Sequence, residues 1–420
     1  MPISYKPLRT AESSGAQRLL TTSLVIATLL LFSTSTDGQN TLAPQTGEHP
    51  NIWKIAFDRT RVRSSLSFQA ILTDIYVMNS DGSHEQKLTH TGLCHRPNWS
   101  PDGSQMLFVC LNDNSELPTL PGSDEPDQEI GVTDSTGQNP RLLKPGVKMF
   151  GGPSWLPNGK TIAFGNVRYG NTGHKMSVSD RSIYTMTVDG AEPPHSILKG
   201  ASVADWSPDG RKLAYVAYRN NKENPSIYVA NADGSDEHLL TDPKIRAYSL
   251  SWSPDSRKIA YARWHGNRRT IGVTDLQGGQ FEELTPRNLD AFGPEWSQDG
   301  RRIAFSAFRS ERTQVFLINA DRTGLRQLSN EKEKDCEHPS WSPDGSQIVF
   351  ECHSRMFYGP LLMNLPSILL GPMRTVPPAA QIYLTDVNAP NALPVQLTHT
   401  GGSNPRFYPV PVSSKEVAGY

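Results

Sequence analysis

At 420 residues the chain is long enough to bury a large core, either as one closed repeat domain or as two ordinary domains. Its 41 basic and 42 acidic residues leave a net charge of −1, which removes the electrostatic case for a nucleic-acid binder or a polybasic membrane-surface protein. The 33 Gly, 33 Pro, 8 Trp and 13 Tyr supply turn formers and side chains suited to a pleated surface, and long helix-forming runs are missing, so the composition favours an all-β fold.

In chain order, Lys6, Arg9 and Arg18 precede an uncharged stretch over residues 19–32 and then small residues 33–36. This is the layout of a secretory signal peptide, and the apolar stretch is shorter than the roughly 20 residues that span a bilayer. Residues 1–36 are therefore read as a signal peptide or N-terminal anchor, residues 37–50 as a polar linker, residues 51–410 as the folded domain, and residues 411–420 as a tail. The expected location is periplasmic or secreted, with a membrane-anchored protein facing outside as the alternative if the segment is not cleaved.

The domain is organised by a repeat. Trp-Ser-Pro-Asp-Gly recurs at Trp99, Trp206, Trp252 and Trp341, with looser copies at Trp155 and Trp296, at spacings of 56, 51, 46, 44 and 45 residues. After each comes a short apolar run such as "KIAYA", then a variable segment, then a second run such as "IYVANADG", and last a Leu-Thr-like strand. Each unit is thus predicted to be four short antiparallel strands, with Pro presetting φ and Gly taking positive φ in the first turn. Such a unit cannot bury both faces alone, so the units must stack radially.

The first unit lacks its own leading strand, since "WKIAFD" at residues 53–58 has no Trp-centred turn before it. The last segment, "NPRFYPV" at residues 404–410, is a leading strand with nothing after it. Pairing the two closes a ring of seven blades near Phe407 and leaves no free sheet edge. The predicted fold is a single seven-bladed β-propeller.

These repeats resemble those of the TolB-like β-propeller family, which also occur in prolyl-oligopeptidase-type peptidases and in oligogalacturonate lyase. The resemblance covers about residues 52–410. TolB carries an α/β domain before a six-bladed propeller, whereas here the linker leads straight into the ring, so a role in the Tol system does not carry over. A Gly-x-Ser-x-Gly nucleophile elbow, which the peptidase resemblance would require, is missing.

Several groups stand out from the repeat. Cys94 and Cys110 lie symmetrically about Asp102, and Cys336 and Cys352 symmetrically about Asp344. Two cross-strand disulfides at hydrogen-bonded positions, with Cα atoms about 5.5 Å apart, are the first reading; buried thiols are the alternative. Polar and aromatic residues ahead of the Trp-centred turns form a candidate channel rim: His95, Arg96, Asp205, Tyr248, Glu295, His338 and Arg406. Through the lyase resemblance, the histidines raise a channel-bound metal, although their spacing is not a recognisable ligand motif. His90 and His399 recur in duplicate "LTHTG" segments and read as parts of the repeat. The acidic stretch over residues 111–129 suggests a structural calcium site or a solvated loop. Residues 356–378 lack strand alternation and would present Phe357, Leu361, Leu362, Met363, Ile368, Leu369 and Leu370 as a partner loop.

The functional expectation is an exported, monomeric, non-catalytic propeller that binds a protein or peptide in the cell envelope and needs no cofactor. The alternative is a metal-assisted carbohydrate-active enzyme, lyase- or hydrolase-like, with its site at the channel mouth.

Overall fold

The computed structural model describes residues 52–65, 68–111, 128–143, 149–171, 176–219, 224–309, 311–354, 380–389, 393–407 and 409. The expected signal segment, the linker, residues 356–378 and most of the acidic stretch lie outside the described residues.

Blade 1 is composite, formed by β1 (Lys54–Ser65), β2 (Phe68–Asn79), β3 (Gln86–Lys87) and the last strand, β28 (Ser403–Phe407). Blade 2 holds β4 (Cys94–Trp99), β5 (Gln105–Leu111), β6 (Gln128–Asp134) and β7 (Arg141–Leu143); blade 3 holds β8 (Met149–Trp155), β9 (Thr161–Asn171), β10 (Met176–Thr187) and β11 (His195–Lys199). Blade 4 holds β12 (Ala201–Trp206), β13 (Lys212–Ala217), β14 (Ser226–Asn231) and β15 (His238–Leu239); blade 5 holds β16 (Ala247–Trp252), β17 (Lys258–His265), β18 (Arg268–Asp275) and β19 (Glu282–Glu283). Blade 6 holds β20 (Asp290–Trp296), β21 (Arg302–Arg309), β22 (Arg312–Asn319) and β23 (Arg326–Gln327); blade 7 holds β24 (Lys334–Trp341), β25 (Gln347–Ser354), β26 (Gln381–Asp386) and β27 (Val395–Gln396). Every sheet is antiparallel and four-stranded, and the leading strands touch one another in turn around the ring, from β4 through β8, β12, β16, β20 and β24 to β28 and back to β4. The seven-bladed all-β propeller expected from the repeats is the fold observed.

Turn chemistry explains why each blade starts as it does. In blade 6, Gly300 N–H donates to the Ser297 carbonyl (2.9 Å), and Arg302 N–H donates to the Ser297 hydroxyl (3.0 Å). The same hydroxyl donates to Asp299 Oδ1 (2.5 Å), so one serine and one aspartate satisfy the turn. Blade 3 has Leu156 in place of the serine, and Asn158 Oδ1 accepts the N–H of Thr161 (2.9 Å) instead. At the far end of the repeat, the hydroxyl of the Leu-Thr-like strand accepts an N–H of the third strand, as Thr89 does for Ile75 (2.9 Å) and Thr285 for Ile271 (2.9 Å).

The core lies between blades rather than within one. Seven buried apolar clusters each draw on two adjacent blades; one, for example, joins Leu107, Ile130 and Val132 of blade 2 to Trp155, Ile162 and Phe164 of blade 3. Strand alternation sends successive side chains to opposite neighbours, so each blade buries both faces. Within five blades, an aromatic of the second strand stacks on one of the third, with ring centroids 5.6–5.9 Å apart, as in Tyr215–Tyr228 and Phe305–Phe316. Blade 5 has Gly272 at the third-strand position, and Phe281 fills the vacated volume, its ring 4.8 Å from that of Tyr261. A Cβ on Gly272 would come within 2.5 Å of the Glu282 carbonyl oxygen, so no larger residue fits.

Both disulfides form, Cys94–Cys110 and Cys336–Cys352, but not at the type of pair expected. Their Cα atoms are 4.1 Å apart, the spacing of a non-hydrogen-bonded pair. The reason is a bulge. Trp99 faces Met106 next to the turn, but between His95 and Asn98 the register slips by one residue, and the slip converts the pairing site. The same slip lies between Glu337 and Ser340.

Candidate functional site

The leading strand of every blade carries a register shift of one or two residues, in six of them ahead of the Trp-centred turn. At five bulges the residue has positive φ: Arg96 (58°), Ser249 (52°), Gly293 (62°), His338 (55°) and Asn404 (50°). Four of these, Arg96, Gly293, His338 and Asn404, precede a proline. Proline has no N–H for the ladder, and a bulge is where a sheet tolerates it.

Two buried carboxylates hold bulges across blade boundaries. Asp58, at the middle of β1, accepts the Arg96 N–H of blade 2 at 3.0 Å, the Asn404 side-chain amide at 3.0 Å and the Ser403 hydroxyl. Glu351, on β25, accepts the Asn404 N–H of the composite blade at 2.6 Å and contacts His338 Nδ1 at 2.9 Å. In the other blades this position is Val109, Gly165, Val216, Ala262 or Ser306. The carboxylates therefore mark the two junctions flanking the composite blade. Burial raises Asp58 above the ordinary carboxylate range, against the Ser403, Arg96 and Asn404 hydrogen bonds, and the charge of Glu351 adds to the rise. The sequence reading missed Asp58, Glu351, Ser403 and Asn404. Superposing the repeats would have exposed the first two, as acids ending "KIAFD" and "QIVFE".

The seven expected rim residues all lie on leading strands, but they do not form one group. Glu295 of β20, His338 of β24 and Arg406 of β28 are electrostatically coupled across three successive blades. Burial raises Glu295, while the charges of Arg406 and His338 oppose the rise. The Glu351 hydrogen bond raises His338, against its partial burial. Asp205 of β12 is coupled to Glu295 alone among the seven. His95 sits beside Arg96 and is pushed down to about 4, first by burial and then by that cation. Tyr248 instead packs between blades and bonds to Arg269.

Asp205 is open to water at its surface yet enclosed on all sides by the ring, and these two properties pull its acidity in opposite directions. Enclosure dominates: it pushes the carboxyl up to about 7, against the Trp206 N–H and with help from Glu295. A folded pKa above the unfolded 3.8 means that folding takes up a proton. The stabilisation is therefore complete below the unfolded value and is lost as pH rises through about 7. The thermal midpoint should fall between about pH 5 and pH 8, and Asp205→Asn should flatten that fall in melts followed by circular dichroism. Parallel slopes for the two proteins would show that Asp205 is not the source.

The two histidines through which a channel-bound metal was raised are not brought together. His95 and His338 are separated by β28, His338 Nδ1 is engaged by Glu351, and among the described residues no three His, Cys, Asp or Glu side chains converge. His90 and His399 are exposed on the repeat's outer connections. Of the acidic stretch, Glu129 is described and is buried, while Asp113, Glu116, Asp124, Glu125 and Asp127 lie outside the described residues, as does the whole of the expected partner loop.

Around the ring, indole N–H groups tie neighbouring blades together. Trp155, Trp252 and Trp341 donate to the carbonyls of Asn98 (3.1 Å), Asp205 (2.9 Å) and Glu295 (3.0 Å) of the preceding leading strands. These three bonds help to tie together the rim that carries the turns. The opposite rim carries the variable connections between second and third strands.

Comparison with known proteins gives the same architecture. Acylaminoacyl peptidase from Pyrococcus horikoshii is 12% identical, with a TM-score of 0.58 over 82% of this chain and 51% of its own. The β-propeller domain of the Trilobed protease from Pyrococcus furiosus is 11% identical, with a TM-score of 0.55 over 82% of this chain and 92% of that one. Oligogalacturonate lyase from Vibrio parahaemolyticus is 11% identical, with a TM-score of 0.52 over 71% and 94%. At these identities the likeness is one of fold alone. No curated protein matches in sequence. Residues 213–355, which run from the second strand of blade 4 into blade 7, match the TolB beta propeller domain.

Proposed function

We propose that this protein is an exported, non-catalytic propeller that captures a protein or peptide on its loop-bearing rim, with residues 356–378 contributing to the contact. One observation carries the reading: the two rims differ in kind. The turn rim repeats a self-satisfied Ser/Asp network from blade to blade, whereas the other rim holds the length differences between blades, together with half-buried aromatics and exposed arginines. Variable connections on a rigid scaffold are where recognition is usually built. The separation of His95 from His338 gives the carbohydrate-enzyme alternative no support. Two disulfides accord with an oxidising compartment.

A photo-crosslinking residue placed at Asn267, on the loop rim, should capture a partner in envelope extract, and one at Asp233, on the turn rim, should not. Equal capture from both rims, or none from the loop rim, overturns the reading.

A further inference from the structure

The hairpin joining β17 to β18, with the start of β16 beside it, carries two exposed guanidinium groups on the loop rim. Two guanidinium groups elsewhere on this rim meet carboxylates: Arg219 of blade 4 pairs with Glu237, and Arg312 of blade 6 lies 3.8 Å from Asp335. In blade 5, Arg269 is matched in the same way, with Nε and Nη2 at 2.5 and 2.7 Å from the two oxygens of Asp290. Arg246 and Arg268 form no ion pair of this kind among the described residues, although the Arg268 charge helps to lower Asp290. Both are exposed; Arg246 makes no ion pair among the described residues, and Arg268 donates to the backbone carbonyl of Asn288.

Arg246 stands beside an aromatic ledge, and Arg268 lies at the tip of the same hairpin. Arg246 pairs through its carbonyl with the Trp264 N–H (2.9 Å), and its guanidinium stands 5.4 Å from the Trp264 ring centre. Arg269, fixed by Asp290, lies 4.2 Å from the centre of Phe292 and supports the same surface from below. His265 pairs with Arg268 across the hairpin, so the tip is a two-residue turn whose Gly266 has a φ of 64° and open space where a Cβ would point. Backbone pairing thus fixes the exposed guanidiniums at one short, rigid edge, which lowers the ordering cost of binding there.

We infer that the captured partner presents an acidic peptide segment to this edge of blade 5, an inference that rests on the binding reading above. Each exposed guanidinium keeps donors that match a carboxylate, and Trp264 offers apolar area beside Arg246. The whole chain has a net charge of −1, so the local excess of exposed cations is not a bulk property. Two exposed cations on one short edge suit a short acidic peptide better than a polyanion that needs a long basic track.

The test is fluorescence anisotropy of the purified protein with a labelled poly-glutamate peptide, against poly-lysine and single-stranded oligothymidylate probes. Poly-glutamate should bind in preference to both, and Arg246→Glu with Arg268→Glu should weaken it about tenfold or more. If the charge reversal impairs folding, as judged by its melt, Arg246→Gln with Arg268→Gln replaces it and should still lose most of the affinity. Absent binding, equal binding of poly-lysine, tighter binding of oligothymidylate, or binding unchanged by the substitutions overturns the inference. Crosslinks at Asn267 that persist in the charge-reversed protein would overturn the acidic-partner inference and leave the binding reading standing. Loss of every loop-rim crosslink with poly-glutamate binding retained would do the opposite.

Discussion

A chain ending at Gly402 is expected to lose cooperative folding. Its missing strand, β28, pairs Phe407 with Ile55 and Arg406 with Ala56, and Phe407 occupies the place that tryptophan holds in the other blades. Phe407 is buried among Trp53, Ile55 and Phe57, and deleting a buried aromatic costs about 3–5 kcal/mol. Two further losses follow from the carboxylates. Asp58 would lose Ser403 and Asn404, and Glu351 would lose the Asn404 N–H, each at about 1–3 kcal/mol for a buried polar group left without its donors. The total of about 5–10 kcal/mol is comparable to the whole stability of a domain. The truncated chain should therefore be recovered aggregated or without a sharp melt. A soluble product melting within a few degrees of the parent would mean that blade 1 holds the ring closed without β28. Phe407→Ala alone should keep a cooperative melt with a lower midpoint.

Removing the disulfides should give the next largest effect. Each links the leading strand to the second strand beside a bulge, and the pairs sit in blades 2 and 7, on either side of the composite blade. Closing a loop with a sequence separation of 16 removes denatured-state entropy worth about 3 kcal/mol. Cys336→Ala with Cys352→Ala should lose about that much in urea denaturation, and the four-fold substitution about twice as much, because the sites are far enough apart to add. The placement gives the expectation a further edge: the loss should exceed that from an equally buried pair elsewhere, since Glu351, His338 and Arg96 lie within two residues of the links and hold the closure contacts. A four-fold variant as stable as the oxidised parent would show that strand pairing alone holds the bulges in register.

Much of the fold was legible in the repeats. The Trp-Ser-Pro-Asp-Gly turns place their own hydrogen bonds within a few residues, as between Ser297, Asp299 and Arg302, so local sequence suffices to locate each first hairpin. The symmetry of the cysteines about Asp102 and Asp344 identified the right partners, but the pairing type depended on a one-residue slip that turn counting does not see. In blades 1 and 3, the segments taken as variable loops continue the sheet, with β1 and β2 running twelve residues each.

The site was less legible, because its members belong to different blades. Asp58 and Arg96 are 38 residues apart, and Asp58 and Ser403 are 345 apart; ring closure alone brings them together. His95 and Tyr248 stand at equivalent places before their tryptophans, yet one lies beside the Arg96 cation and the other bonds to Arg269 between blades. By itself the sequence determined the number of blades, their strand order and the partner strands that close the ring, because turn hydrogen bonds and two-residue alternation are local. Only the tertiary structure decided which polar residues meet, which cations stay exposed and where the closing carboxylates find donors, because those outcomes depend on how one blade's bulge falls against the next.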